Sequence, residues 1–181
     1  VIVDAYMKGF EGFDAERAYE AVKNTAMNGR AGVKYVIERG YIPADKEVES
    51  VAKALEYAID DACIAMMAKE LGKKEDYEYF LRRSKAFAMY FDKDTKFMRG
   101  RMDDGSWRSP FDPIASSHRD DDYCEGNAWQ YTWLVPQNPE DLIGLFGSER
   151  AFTEKLDKLF SISSKLGAEA SSDISGLIGQ Y

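Results

Sequence analysis

The chain has 181 residues, 45% hydrophobic side chains and a formal net charge of −8. This length fits about one domain, and the apolar content is enough for a core. Lys and Arg are scattered as singles and pairs, so no basic face is predicted for nucleic acid or anionic lipid. An apolar run near the roughly 20 residues needed to cross a bilayer is also absent from the sequence.

Two cysteines and one histidine limit the metal and redox chemistry. Cys63 and Cys124 form no CxxC pair, and His118 alone leaves a zinc or haem site short of ligands. Two free, half-buried thiols are the expected state, with a disulfide left open. The chain has no starting Met and stops in mid-pattern at "SGLIGQY", so we expect both ends to be cut from a longer protein.

Helical periodicity begins early in the chain. Asp14 can cap a helix through "AERAYEAVKNTAMN". The clearest helix runs from about Glu47 to Leu71, and Gly72 follows it as a C′ glycine. A second helix, from about Lys74 to Phe91, follows almost at once. Because the link is so short, the two must lie antiparallel as an αα-hairpin.

From Asp92 to Arg119 the helical period disappears. Turn-forming sequences such as "DKDTKF", "MDDGSW" and "SPFDPI" replace it. We predict a long ordered loop with a short hairpin around Asp104-Gly105, because its aromatic side chains would not be left in water. Long irregular segments in compact domains are often functional. "DKDTKFMRGRMDDG" lacks the glycine and the glutamate of an EF-hand, so a calcium loop of that kind is not expected.

Helices resume from about Asp122 to Leu134. Asn138-Pro139-Glu140 then predicts a helix to about Gly147, and Ser148 caps another through "ERAFTEKLDKLFSI". No strand pattern of convincing length occurs. The predicted fold class is all-α, built from αα-hairpins with one long ordered loop. The apolar end of "GAEASSDISGLIGQY" is expected to lead into another helix.

The stretch from Asp120 to Trp133, "DDDYCEGNAWQYTW", has two interpretations. As scaffold, Asp122 and Glu125 have the spacing of a capping box, and the tryptophans belong to the core. As a site, Glu125 is a general acid or base beside rings and amides that can bind hydroxyl groups. A helix dipole favours the glutamate anion, so an acid role needs desolvation or a neighbouring carboxylate among 120–122. Residue types alone leave both interpretations open.

Two other constellations are weaker. Cys124 and His118 could form a thiol nucleophile and its base, but their spacing in the sequence is no evidence for such a pair. Glu56, Asp60 and Asp61 form an acidic strip on the 47–71 helix, away from its apolar stripe. We expect this strip to be a solvated face.

The whole sequence resembles glycoside hydrolase family 92, the α-mannosidases. Five segments carry the resemblance in the family's order: "VIVDAYMKGF", "LEYAIDDACIAMMAKELGKKEDYEYFLRRS", "DKDTKFMRGRMDDGSWRSPFDP", "YCEGNAWQYTWLVPQNPEDLIGLFGSERAFTEKLDKLF" and "SSDISGLIGQY". The resemblance implies a calcium-dependent, inverting exo-α-mannosidase with an N-terminal β-sandwich and a C-terminal (α/α)6 barrel. Residues 1–181 would be part of that single barrel domain, with the sandwich and the rest of the barrel outside this chain.

The resemblance also assigns residues. It places the general acid at Glu125, in "EGN", with Asn127, Trp129 and Gln130 as substrate-binding residues and Gln130 also as a calcium ligand. The family's general base is an aspartate beyond Tyr181, as are most of its calcium ligands, so this chain alone is expected to be inactive. The implied substrates are terminal α-mannosides of glycans, with α-1,2 the expected linkage, and the implied location is periplasmic or secreted. The alternative is a non-catalytic carbohydrate-binding or helical scaffold module of the same fold.

Overall fold

The computed structural model describes residues 1–117 and 121–163, and within these ranges the chain is mostly helical. The helices are α1 (Ile2–Met7), α2 (Ala15–Ala26), α3 (Val33–Arg39), α4 (Ser50–Glu70), α5 (Lys74–Arg83), α6 (Ala128–Tyr131), α7 (Pro139–Phe146) and α8 (Glu149–Ser161). A 3₁₀ helix (Ala86–Tyr90) precedes the short antiparallel strands β1 (Phe91–Asp92) and β2 (Phe97–Met98). The predicted helix within 167–181 lies outside the described residues.

The predicted αα-hairpin is confirmed, because α4 and α5 are joined by three residues and pack along each other. Gly72 takes a φ of 71° directly after Leu71, the left-handed conformation that favours glycine at this position. The predicted caps are also confirmed: Asp14, Asn138 and Ser148 each accept a backbone N–H of the helix that follows. Helices α1 and α3 had no clear sequence signal.

The helix predicted for 74–91 is wrong at its C-terminal end. α5 stops at Arg83, and a 3₁₀ helix continues the chain. Ser84 donates its hydroxyl to the Leu81 carbonyl, a local bond that competes with helix continuation. Residues three apart share a face in a 3₁₀ helix, which places both Phe87 and Tyr90 in the core.

The predicted ordered loop is confirmed as far as residue 117. The β1–β2 hairpin begins it, and an isolated bridge between Arg101 and Trp107 closes the predicted hairpin around Asp104-Gly105. Met98 docks the loop onto the later chain. Its N–H donates to Thr132 Oγ1 at 3.1 Å, and its carbonyl accepts the Tyr123 hydroxyl at 2.6 Å.

The helix predicted for 122–134 is wrong in its start and its length, since only Ala128–Tyr131 is helical. The core has two parts. One lies under the loop and includes Leu55, Phe97, Tyr123 and Trp129. The other joins α1, α2, α4 and α5. The arrangement of these helices in an (α/α)6 barrel stays a prediction. No helix in the ranges 1–117 and 121–163 is both long and apolar enough to cross a membrane.

Candidate active site

Glu125 lies in a bend, outside any helix. It is exposed, and its φ of 53° is in the left-handed region, which is uncommon for a residue with a Cβ atom. The expectation that it sits in a helix and shares a face with Ala128 and Trp129 is therefore wrong. Backbone strain of this kind clusters at functional sites, where the surrounding structure must maintain it.

Two hydroxyl groups hold the backbone on either side of Glu125. Tyr131 donates its hydroxyl to the carbonyl of Cys124 at 2.6 Å. Ser116 donates its hydroxyl to the carbonyl of Gly126 at 2.8 Å. Both side chains are buried. Ser116 had no recognisable signal in the sequence, while Tyr131 could be expected only as an aromatic neighbour.

The capping box occurs five residues later than predicted. Asn127 is the N-cap of α6, and its side chain accepts the N–H groups of Trp129 and Gln130. Gln130 Oε1 in turn accepts the N–H of Asn127 at 3.1 Å. Asp122 and Glu125, the predicted pair, form no capping box: the Asp122 carboxylate accepts the hydroxyl of Ser50, and Glu125 lies in the bend before α6 begins.

Gly126 is required by a close approach. A Cβ atom there would lie 2.9 Å from a ring carbon of Tyr131 and 3.0 Å from Gln130 Oε1. The segment from Glu125 to Tyr131 is therefore compact. Glu125 is exposed to solvent, and the other residues pack together beneath it.

Asn127 and Trp129, expected to bind substrate, are only 0% and 3% exposed. The Trp129 ring packs edge-on against Phe97, with ring centroids 4.8 Å apart, and the Lys155 ammonium lies 4.4 Å from its centroid. Gln130 is half-buried. The substrate-binding roles of these three residues stay predictions, and the contacts described here are with the protein itself.

Asp121 and Asp122 cap α4 through their backbone. The carbonyl of Asp121 accepts the N–H of Glu49 at 2.7 Å, and the carbonyl of Asp122 accepts those of Val51 and Ala52 at 2.9 and 3.1 Å. α4 has no side-chain N-cap of its own. The bend that contains Glu125 is thus docked on the first turn of the longest helix.

The carboxylates of these two aspartates also have partners. Asp122 is buried, accepts the hydroxyl of Ser50 at 2.9 Å and pairs with Arg108 Nε at 2.9 Å, yet burial raises its pKa. Asp121 accepts the N–H groups of Ser117 and Tyr123, both at 2.7 Å. Burial nevertheless raises the pKa of Asp121 to about 6. Asp120, the third predicted acid, lies outside the described residues.

We expect Gly100→Ala to destabilise the protein, because a Cβ atom at Gly100 would lie 1.9 Å from a carboxylate oxygen of Asp122. Overpacking alone costs roughly 1–3 kcal/mol, and displacing Asp122 from Ser50 and Arg108 adds to it. Gly144→Ala is the matched control. Gly144 lies in α7 with nothing within 4 Å, so the same change there should stabilise by about 0.5–1 kcal/mol. Denaturation midpoints of the full-length variants measure both, and equal midpoints would contradict the steric explanation.

Cys124 is a poor candidate for a nucleophile. Burial, followed by the charge and the hydrogen bond of Glu49, raises the pKa of its thiol to about 11. The thiolate needed for attack is therefore disfavoured. His118, the histidine paired with it in the sequence interpretation, lies outside the described residues. The charges of Glu125 and Glu56 also contribute to this raised pKa.

The acidic strip on α4 is only partly a solvated face. Glu56 and Asp60 are exposed, and partial burial raises both pKa values. Asp61 contradicts the prediction, because its side chain is only 1% exposed and pairs with Arg83 of α5. Arg83 Nε donates to Asp61 Oδ2 at 2.6 Å, and Arg83 also donates to the carbonyl of Ala26 at the end of α2.

The residues described do not by themselves fit a calcium site. In the ranges 1–117 and 121–163, no group of three or more His, Cys, Asp or Glu residues is arranged to hold a metal ion. Calcium takes six to eight oxygen ligands. Gln130 Oε1 accepts the Asn127 N–H, so its role as a metal ligand stays a prediction.

Two cavities lie beside the acidic residues of α4 and of the loop. A cavity of about 380 Å³ is lined mainly by apolar residues of α1, α2 and α4 and lies beside the Asp61–Arg83 pair, not at Glu125. A smaller one of about 100 Å³ lies in the loop, where its lining includes Arg99, Arg108, Asp121 and Asp122. Neither has Glu125 in its wall.

Comparisons with known proteins agree with each other. The sequence model of the glycosyl hydrolase family 92 catalytic domain matches residues 1–181. A family 92 α-mannosidase from Bacteroides thetaiotaomicron, solved in complex with mannoimidazole, is 45% identical with a TM-score of 0.87, and the match covers 92% of this chain and 22% of that chain. A family 92 inverting mannosidase from the same organism is 29% identical with a TM-score of 0.81, covering 99% of this chain and 26% of that one.

A curated relative is also a glycosidase. It is an uncharacterised secreted glycosidase of Arthroderma benhamiae, 29% identical over 197 residues that cover 88% of this chain and 25% of that protein. This chain thus spans about a quarter of the length of these relatives.

Proposed function

Since this chain belongs to glycosyl hydrolase family 92, we propose that it is the general-acid portion of the catalytic domain of an inverting exo-α-mannosidase. The observation that carries the proposal is the presentation of Glu125. Its carboxyl is exposed on a left-handed residue whose neighbouring carbonyls are held by Tyr131 and Ser116. Solved relatives with this fold are family 92 mannosidases.

Glu125 would donate its proton to the glycosidic oxygen as the bond to the leaving sugar breaks. An inverting glycosidase needs a second carboxyl about 6.5–9.5 Å from the first, which activates water on the opposite face of the ring. We assign that base to a part of the polypeptide beyond this chain. The 181 residues alone are then expected to hydrolyse no mannoside.

Two of the acids predicted to act on Glu125, Asp121 and Asp122, have other partners. Asp121 and Asp122 are occupied by backbone N–H groups, Ser50 and Arg108. Glu49 and Glu56 instead help to raise the pKa of the thiol of Cys124, directly before Glu125.

Asn127, Trp129 and Gln130 belong to the proposed substrate pocket as its supporting wall. Asn127 and Trp129 fix α6 from within the core, and Gln130, which is half-buried, is the one of the three most accessible to a sugar hydroxyl. Calcium bound in the intact protein would act as an oxygen-coordinated cation near the sugar, with Gln130 its one assigned ligand here. Loss of activity with EDTA and its return with calcium would test this.

The remaining assignments follow from the family. This chain would form part of a single (α/α)6-barrel domain that follows a β-sandwich, in a periplasmic or secreted protein. A non-catalytic carbohydrate-binding or helical scaffold module of the same fold is the competing function.

Product stereochemistry tests the proposed function. Full-length protein is incubated in an NMR tube with the methyl glycoside of α-1,2-mannobiose, whose blocked reducing end releases no free mannose, and the anomeric signals are followed from the first minutes. We expect β-mannose to form first and then to mutarotate. First release of α-mannose would contradict inversion, and binding without any hydrolysis would favour the non-catalytic module.

A further inference from the structure

Glu125 is held in its unfavourable conformation by contacts that surround it on both sides. A left-handed φ is disfavoured for a residue with a Cβ atom, so the bend would relax if nothing opposed it. The direction in which the Glu125 carboxyl points depends on this angle. Whatever fixes the angle therefore fixes the position of the carboxyl.

The peptide before Glu125 is fixed by Tyr131. Rotation about φ of Glu125 turns the plane that contains the Cys124 carbonyl, and that carbonyl accepts the Tyr131 hydroxyl at 2.6 Å. Tyr131 is only 7% exposed, so water cannot readily take the place of its hydroxyl.

The peptide after Gly126 is fixed at both of its polar atoms. Its carbonyl accepts the Ser116 hydroxyl at 2.8 Å, and its N–H, which belongs to Asn127, donates to Gln130 Oε1 at 3.1 Å. Glu125 and Gly126 thus lie between two immobilised peptide planes. Two of the three groups that hold these planes, Gln130 and Tyr131, come from the short helix α6.

We propose that Tyr131, together with Ser116, is a positioning residue for catalysis, which keeps Glu125 in the left-handed conformation that aims its carboxyl at the glycosidic oxygen. The inference rests on the proposed function of Glu125 as general acid. Tyr131 touches no reacting atom itself. Its ring lies against the site where a Cβ of residue 126 would be, so steric contact ties the bend to α6.

Tyr131→Phe in the full-length enzyme tests the role, because it removes the hydroxyl and keeps the ring. Turnover is measured on α-1,2-mannobiose, whose leaving group needs protonation, and on dinitrophenyl α-mannoside, whose leaving group needs little. We expect a loss of about 10- to 100-fold on the disaccharide, since small misplacements of a catalytic group cost this much. The loss on the aryl mannoside should be several-fold smaller. Ser116→Ala should change the two rates in the same direction.

Tyr123→Phe is the matched control. It also removes a 2.6 Å bond from a buried tyrosine hydroxyl to a backbone carbonyl, but that carbonyl belongs to Met98 and not to a neighbour of Glu125. Its ratio of rates on the two substrates should stay that of the parent. An equal change of the ratio in both tyrosine variants, or no change in Tyr131→Phe, would overturn the positioning role.

A combined variant separates this inference from the proposed function. If Tyr131 acts through Glu125, then Tyr131→Phe should lower the disaccharide rate little further once Glu125→Gln is present. A full additional loss would show a structural role only. If Glu125→Gln alone shows no dependence on the leaving group, the proposed function fails and the positioning role fails with it. If Glu125→Gln shows that dependence and Tyr131→Phe does not, only the positioning role is overturned.

Discussion

Glu125→Gln in the full-length enzyme should lower turnover on α-1,2-mannobiose by about 10²- to 10⁴-fold, the usual contribution of a general acid. Glutamine keeps the shape of the side chain and can donate a hydrogen bond, but it has no proton to transfer. The loss on dinitrophenyl α-mannoside should be much smaller, because that leaving group departs without protonation. Steady-state rates on the two substrates measure the difference.

Glu20→Gln provides the control for this variant. Glu20 is an exposed glutamate on α2, which packs in the other part of the core, so both rates should equal those of the parent. Equal losses on the two substrates in Glu125→Gln would argue that Glu125 supports structure or binding and is not the acid.

Arg83→Met should destabilise the full-length protein by about 3–5 kcal/mol, the usual result of removing one partner from a buried ion pair. The side chains of Arg83 and Asp61 are 7% and 1% exposed, and methionine would leave the Asp61 carboxyl buried without its cation. The end of α2 would also lose the donor to the Ala26 carbonyl. The denaturant midpoint of the domain measures the loss.

The stability lost in Arg83→Met should increase as pH rises. Burial raises the pKa of Asp61 even with Arg83 present, and removing the guanidinium raises it further. A carboxyl whose pKa is higher in the folded state than in the unfolded state favours folding at low pH, and this contribution is lost as pH rises. The deficit of Arg83→Met relative to the parent should therefore grow from acidic to neutral pH.

Two variants test whether buried charge is the cause. Adding Asp61→Leu to Arg83→Met should restore much of the stability, because apolar replacements of a whole buried pair are often neutral. Lys85→Met removes one partner of an exposed pair, with Asp141, whose side chains are 54% and 50% exposed, and should change stability by less than about 1 kcal/mol. A double variant as unstable as Arg83→Met would show that lost packing explains the effect.

Local signals in the sequence were sufficient for most of the helices. The caps at Asp14, Asn138 and Ser148 are predictable because each side chain accepts an N–H only three residues away. Gly72 is predictable because its conformation excludes most other residues. Such features depend on their own neighbours in the sequence.

Two of the failures came from long-range contacts. Asp122 has the spacing of a helix cap, but its carboxylate binds Ser50, 72 residues earlier in the chain. Asp61 has the pattern of a solvated acid, but its partner is Arg83 on the next helix. In both cases a tertiary interaction replaced the local one, and no periodicity in the sequence encodes it.

The candidate site likewise combines predictable local features with long-range contacts that could not be predicted. The assignment of Glu125 came from family resemblance, and the residue types around it left scaffold and site open. The capping box was predicted at Asp122 and Glu125, which have the same three-residue spacing as Asn127 and Gln130, the pair that forms it. Ser116 could not be predicted, because the carbonyl it binds is specified only by the folded loop.

The backbone cap on α4 connects two regions that are otherwise separate in the chain. The amides of Glu49, Val51 and Ala52 have their partners in the carbonyls of residues 121 and 122. These three amides can exchange with deuterium only when that bend lifts away from the helix. Their exchange rates would therefore report each opening of the segment that carries Glu125, from a position on a different element and without any label in the site.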